Sequence, residues 1–133
     1  MANYLYDKGR QAFLEGGIAW LTDNINVGLV TATYSASQSA DQFWSTPVTN
    51  VVGTPQTLGT KTSTSGVAGA ANVTFTAVSG SAVTQIIIYK NTGTNSTSPL
   101  IAHIDTATGL PVTPNGGDIT IAWDTGANKI FKL

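Results

Sequence analysis

From Ile25 onward the apolar residues of this chain recur at every second position, in short runs separated by Gly, Pro, Asn and Ser. Period two marks a strand with one buried face, because successive side chains point to opposite sides of a sheet. Ile25, Val27 and Leu29 alternate with Asn24, Asn26 and Gly28, which reads as a half-buried strand. Val73, Phe75 and Ala77 repeat the pattern, and so do Ile119, Ile121 and Trp123. Val83–Lys90 carries Ile86, Ile87 and Ile88 in succession, apolar on both faces, and is the best candidate for a central strand. Weaker strands are expected at Val48–Val52, at the Thr-rich stretch Leu58–Thr64 (an edge), at Leu100–Asp105 and at Ile130–Phe131. Turns or loops are expected at 35–40, 65–70, 80–81, 91–98, 106–117 and 126–128, and a short helical turn at Asp41–Ser45 ended by Pro47. Strands this short and this closely spaced predict a mostly β fold, a single β-sandwich or jelly-roll-like barrel.

Composition agrees. Only 10% of the 133 residues are charged, against roughly a quarter in ordinary soluble domains. Thr, Ser, Asn and Gly stand in their place, and these residues suit pleated surfaces and tight turns. The length fits one domain, residues 1–133, with no repeat and no composition break to divide it. The six basic residues, Lys8, Arg10, Lys61, Lys90, Lys129 and Lys132, are too scattered to neutralise a run of phosphates, so no nucleic-acid partner is expected. The net charge of −1 favours association over self-repulsion. The absence of cysteine excludes disulfides and thiolate metal sites. No secretory leader and no apolar run of membrane-spanning length is evident, so neither export nor a membrane is expected.

The N-terminus departs from the period of two. Residues 3–16 read as one α-helix, within an N-terminal helical segment 1–17 that precedes the sandwich or barrel of 18–133. Asn3 is a candidate cap and Gly16-Gly17 a stop. Leu5, Tyr6, Ala12 and Phe13 share a face with Gly9 between them. A helix of about a dozen residues is marginal alone, so this one must dock, on its own sheet or on another chain. Gly9, which costs about 1 kcal/mol relative to Ala in a helix, points to close backbone approach there.

Motifs that carry chemistry are sparse. Asp124-Thr-Gly-Ala127 matches the signature of retroviral-type aspartic proteases, whose paired carboxylates share a proton. The few residues after it leave no chain for the flap and second loop of such an enzyme, and Asp, Thr, Gly and Asn suit a hairpin turn at this point. His103, the sole histidine, shares a strand face with Asp105, but no serine sits in a nucleophile-elbow context, and a half-exposed strand histidine is the simpler reading. The acids offer no ligand spacing, and 105–109 lacks the pattern of a calcium loop. The glycines fall in turns and not in a phosphate loop. Asn72 and Asn95 match the glycosylation pattern by chance. No catalytic, cofactor-binding or metal residues are assigned, no cofactor is expected, and the chain reads as a non-enzyme. Trp20 and Trp123 read as core. Phe43 and Trp44, beside Pro47 in a small and polar region, are a core anchor or a partner contact, the core being favoured. With Tyr4 and Tyr6 they make up the candidate partner contacts.

Two stretches carry a resemblance. Asn3–Trp20 (NYLYDKGRQAFLEGGIAW) and Thr97–Leu133 (TSPLIAHIDTATGLPVTPNGGDITIAWDTGANKIFKL) resemble the two ends of a group of small proteins from the structural modules of tailed phages and prophages. Together they span a little under half of the chain, and the middle, Ala32–Ala70, is more divergent. The resemblance implies a virion component, assembled in the host cytoplasm, with no catalytic residues to carry over. The expected role is a head decoration or cement protein, homo-oligomeric, whose partner is the major capsid protein or another virion protein. The alternatives are a tail, baseplate or fibre-associated protein, and a module for host-surface glycans with Phe43 and Trp44 as its stacking platform.

Overall fold

The computed structural model describes residues 3–105, 110–123 and 130–132. Its centre is an antiparallel five-stranded sheet. In chain order the strands of the whole fold are β1 (Tyr4–Leu5), β2 (Ile25–Thr31), β3 (Val51–Thr57), β4 (Val67–Ala68), β5 (Val73–Phe75), β6 (Val83–Lys90), β7 (Leu100–Ile104), β8 (Ile119–Ile121) and β9 (Phe131–Lys132), with one α-helix, α1 (Asp7–Leu14), after β1. The sheet runs β1-β7-β6-β2-β3, and two ribbons, β4-β9 and β5-β8, complete the β structure. The fold is mostly β, with antiparallel sheets and one helix, as a sandwich requires. No barrel closes among the described residues, so the jelly-roll-like barrel is set aside.

The isoleucine run earns its central place. Ile86, Ile87 and Ile88 are all fully buried, and β6 is hydrogen-bonded to β2 on one side and β7 on the other. One face of the sheet presents Ile25, Val27, Leu29, Ile86 and Ile88, which pack with Val73, Phe75 and Ile121 of the β5-β8 ribbon and with Trp20. The opposite face carries Val30, Ile87, Tyr89 and Leu100, covered by Tyr6, Tyr34 and Trp44. A layer on each side explains why β2, expected to be half-buried, is buried on both faces.

Other expectations are corrected by long-range pairing. The helix does not start at Asn3: Tyr4 and Leu5 pair with His103 and Ala102 of β7, Tyr6 stays extended, and Asn3 Oδ1 accepts from the Asp105 amide instead of capping. The helix ends as expected, with Gly16 in the left-handed region (φ 78°) that favours glycine. Pro47 opens a 3-10 turn, Pro47–Asn50, where it was expected to end a helical turn. Its fixed φ suits the first helical position. The strand expected at 48–52 begins only at Val51 and continues through Pro55 to Thr57. Proline is tolerated there because β3 is the edge of the sheet. The edge role expected for 58–64 therefore belongs to β3, and Thr62 makes only an isolated bridge to Gly69. The turn expected at 65–70 contains β4, paired with β9.

Gly9 is where α1 meets the sheet. A Cβ there would lie 2.4 Å from the Leu100 carbonyl oxygen and 3.2 Å from the Ile101 Cα. The helix thus docks backbone against backbone on β7 of its own chain, the close approach that Gly9 suggested.

Candidate functional site

The second face of the sheet concentrates the polar and aromatic side chains. Gln85 points there from β6, fully in register with the buried side of Val30 on β2. Its Nε2 donates to the carbonyls of Thr31 and Tyr34 at 2.8 and 2.9 Å. Both amide hydrogens are committed, so Oε1 must accept, and the 2.7 Å contact with His103 is a bond donated by His103 Nε2–H. This places a proton on Nε2. His103 is fully buried, not half-exposed, and stacks on Tyr4 at 4.7 Å between ring centres and 10° between planes.

A second chain of bonds has one direction. Tyr34 Oη donates to Asp41 Oδ2 at 2.6 Å, so the 2.8 Å contact between the two phenols is donated by Tyr6. Asp41 Oδ2 also accepts from the Ser37 amide at 2.9 Å. Burial pushes the Tyr34 phenol far above the ordinary range, and the bonds to Asp41 and Tyr6 push the same way. Burial also raises Tyr6, with the Tyr34 bond opposing, and raises Tyr4, with Asp41 and Asp105 adding to it. Tyr6 and Tyr34 stay protonated: they are structural donors and not bases.

Trp44 completes the layer. It stacks on Tyr89 at 4.1 Å and 8°, and its ring lies against β2 at Gly28, where a Cβ would be 2.4 Å from Cη2. Its backbone amide donates to the Ser98 carbonyl at 2.8 Å, and Phe43 bridges to Pro99, so residues 42–44 run alongside the start of β7. Of the four candidate partner contacts, Tyr6 and Trp44 are buried in the chain's own core, with Trp44 only 2% exposed, and Tyr4 and Phe43 are half-buried. Tyr6 is therefore corrected to a core residue, and Trp44 lies in the core, the favoured of its two readings, stacked on Tyr89 with no exposed ring to offer. Trp20 is buried as expected, and Trp123 is half-buried, its Nε1 donating to the Ala71 carbonyl at 3.0 Å. The Asp124–Asn128 stretch lies outside the described residues.

Beside this layer, at the end of the sheet, opens a cleft of about 430 Å³ lined by Tyr34, Thr84, Gln85, Asp105 and Pro111 among others. No signal in the sequence pointed to it, since its walls come from four separated segments. Among the described residues no group of three or more His, Asp or Glu side chains is arranged to hold a metal, and no helix is long and apolar enough to cross a membrane. No family model matches this chain, and no curated protein matches it at a significant level.

Proposed function

We propose that the chain is a non-enzymatic structural protein of a phage virion, a decoration protein that binds the outside of the head as an oligomer and stabilises contacts between capsomers. The reading starts from the resemblance of Asn3–Trp20 and Thr97–Leu133 to proteins of phage structural modules. One observation supports it above others: those two stretches, far apart in sequence, pack on each other. β1 pairs with β7, α1 lies against β7 at Gly9, and the Phe131 ring meets Phe13 at 6.1 Å and Trp20 at 5.2 Å. Parts of the two stretches thus pack against each other, where residues constrain one another.

The surface suits the role. With few charges and many hydroxyl and amide groups, the chain can hydrogen-bond to a lattice without stripping water from many ions. The mechanism is linkage: a protein that binds the assembled shell and not its free subunits stabilises the shell by about 2.7 kcal/mol when present at a hundredfold excess over its Kd. Heads purified without this chain test it. Added back, the chain should co-sediment with them saturably and raise the temperature at which they break open. Heads that neither bind it nor gain heat resistance would refute the decoration role.

A further inference from the structure

The loop that leads into β8 carries the one Asn-Gly pair of the chain, Asn115-Gly116. An asparagine before glycine is chemically vulnerable, because the next backbone nitrogen can reach the side-chain carbonyl carbon and glycine has no Cβ to obstruct it. The fold itself asks for glycine here: Gly116 has φ 87°, a conformation that residues with side chains rarely adopt. Asn115, Gly116 and Gly117 are all exposed, so water reaches them. The same residues are tied down. The Gly116 amide donates to the Val78 carbonyl at 2.7 Å, and the Val78 amide donates to the Gly117 carbonyl at 2.9 Å. The Ala77 amide donates to Asp118 Oδ1 at 3.0 Å, and the Gly117 amide to Asn115 Oδ1 at 2.9 Å. Residues 115–118 are thus clasped to residues 77–78, between β5 and β6, where Val78 is buried in the core.

We propose that Asn115 is a site of spontaneous deamidation and isoaspartate formation, and that the clasp to Val78 gates the reaction. The Gly116 nitrogen attacks Asn115 Cγ, an N–Cγ bond forms, and the Cγ–Nδ2 bond breaks. Ammonia leaves with the proton of the Gly116 amide, and a cyclic imide remains. Water then opens the ring at Cγ, giving aspartate, or at the backbone carbonyl carbon, giving isoaspartate. In the closed clasp the attacking nitrogen has its proton engaged by Val78, and Oδ1 is held by Gly117, so attack waits for local opening. The two products differ in what they do to the fold. Aspartate keeps an oxygen for the Gly117 amide. Isoaspartate routes the main chain through Cγ and lengthens it between residues 115 and 116, so Gly116 no longer meets Val78 in register. The reaction needs only water and this chain, whatever the place of the chain in a virion.

The test incubates the full chain at mildly alkaline pH, in native buffer and unfolded in guanidinium chloride, and follows the loss of the Asn115 amide by mass spectrometry of the peptide that contains it. Hydrogen exchange of the Gly116 amide, read by NMR in the native buffer, measures how often the clasp opens. Asn115 should react at least about tenfold more slowly in the folded chain, and by the same factor, to within about threefold, as protects the Gly116 amide from exchange. Asp118→Ala, which removes the bond to the Ala77 amide, should speed Gly116 exchange and Asn115 deamidation together. The comparison of the folded and unfolded parent stands whether or not that variant folds. No reaction in the unfolded chain, equal rates folded and unfolded, a slowing unrelated to the protection of Gly116, or a deamidation rate that stays fixed in Asp118→Ala while Gly116 exchange quickens would overturn the proposal.

Discussion

Tyr34 is the residue on which the second core turns. Its hydroxyl accepts from Tyr6 and donates to Asp41, so removing that one oxygen strands a buried phenol and deprives a carboxylate of a donor. Tyr34→Phe should cost about 2–3 kcal/mol, whereas Tyr6→Phe, which removes only the outermost donor, should cost about 1 kcal/mol or less. The double variant should cost little more than Tyr34→Phe, because the two groups act in one chain. Urea unfolding of the three variants checks this, and equal costs for the two single changes would contradict the direction assigned to the chain. None of this network was legible in the sequence. Gln85 and His103 are 18 residues apart, and Gln85 and Tyr34 are 51 apart, so no local pattern marks them as partners. Trp44 was half legible: an aromatic residue in a polar stretch has to be buried by something, but only the fold shows that Tyr89 and Gly28 make the slot.

Among the elements, α1 carries the sharpest test. Helix propensity alone predicts that Gly9→Ala stabilises by about 1 kcal/mol. Docking on β7 reverses the sign, because the new methyl meets the Leu100 carbonyl, and such overpacking costs about 1–3 kcal/mol. A lowered melting temperature is expected, and a raised one would mean that α1 does not sit against β7. The turn that follows α1 is held by charge. Asp23 accepts from the Ala19 amide at 2.8 Å and pairs with Lys90 at 3.1 Å, while Lys90 also donates to the Gly17 carbonyl at 2.9 Å and Lys61 to the Asp23 carbonyl. The Ala19 bond foremost, with Lys90, holds the Asp23 carboxyl below its ordinary 3.8. A carboxyl depressed in the fold favours the native state when ionised, so its contribution is complete above pH 3.8 and is lost as pH falls through the folded value. Asp23→Asn should therefore lower stability at neutral pH and make the acid limb of the stability curve shallower, as read by melting temperature from pH 6 down to pH 2. Elements that announce themselves locally were legible. Val83–Lys90 is apolar on both faces and β-branched, and its bounds in the structure are those its pattern suggests. The start of α1 was not, because Leu5 and Tyr6 fit a helical face and a short strand equally well. The strand wins only through β7, almost a hundred residues away.

At the scale of the whole molecule, one five-stranded sheet separates two cores of different character. The first, between the sheet and the β4-β9 and β5-β8 ribbons, is almost wholly apolar. The second, beneath residues 32–48, is aromatic and threaded with directed hydrogen bonds. The mostly β class was legible because period two and turn residues recur along most of the chain. The layering was not, because it depends on which faces the connections cover, and residues 32–48 have too little strand or helix pattern to show that they form a layer. β1 pairs with β7, and Phe131 meets Trp20, so described parts of the two segments on which the virion proposal rests meet in the fold. The account therefore stands or falls on where the chain resides. Its most direct test is the number of copies per purified virion, quantified against the major capsid protein by mass spectrometry. A decoration protein predicts a number comparable to that of the capsid protein. A few copies per particle, or none, would contradict it.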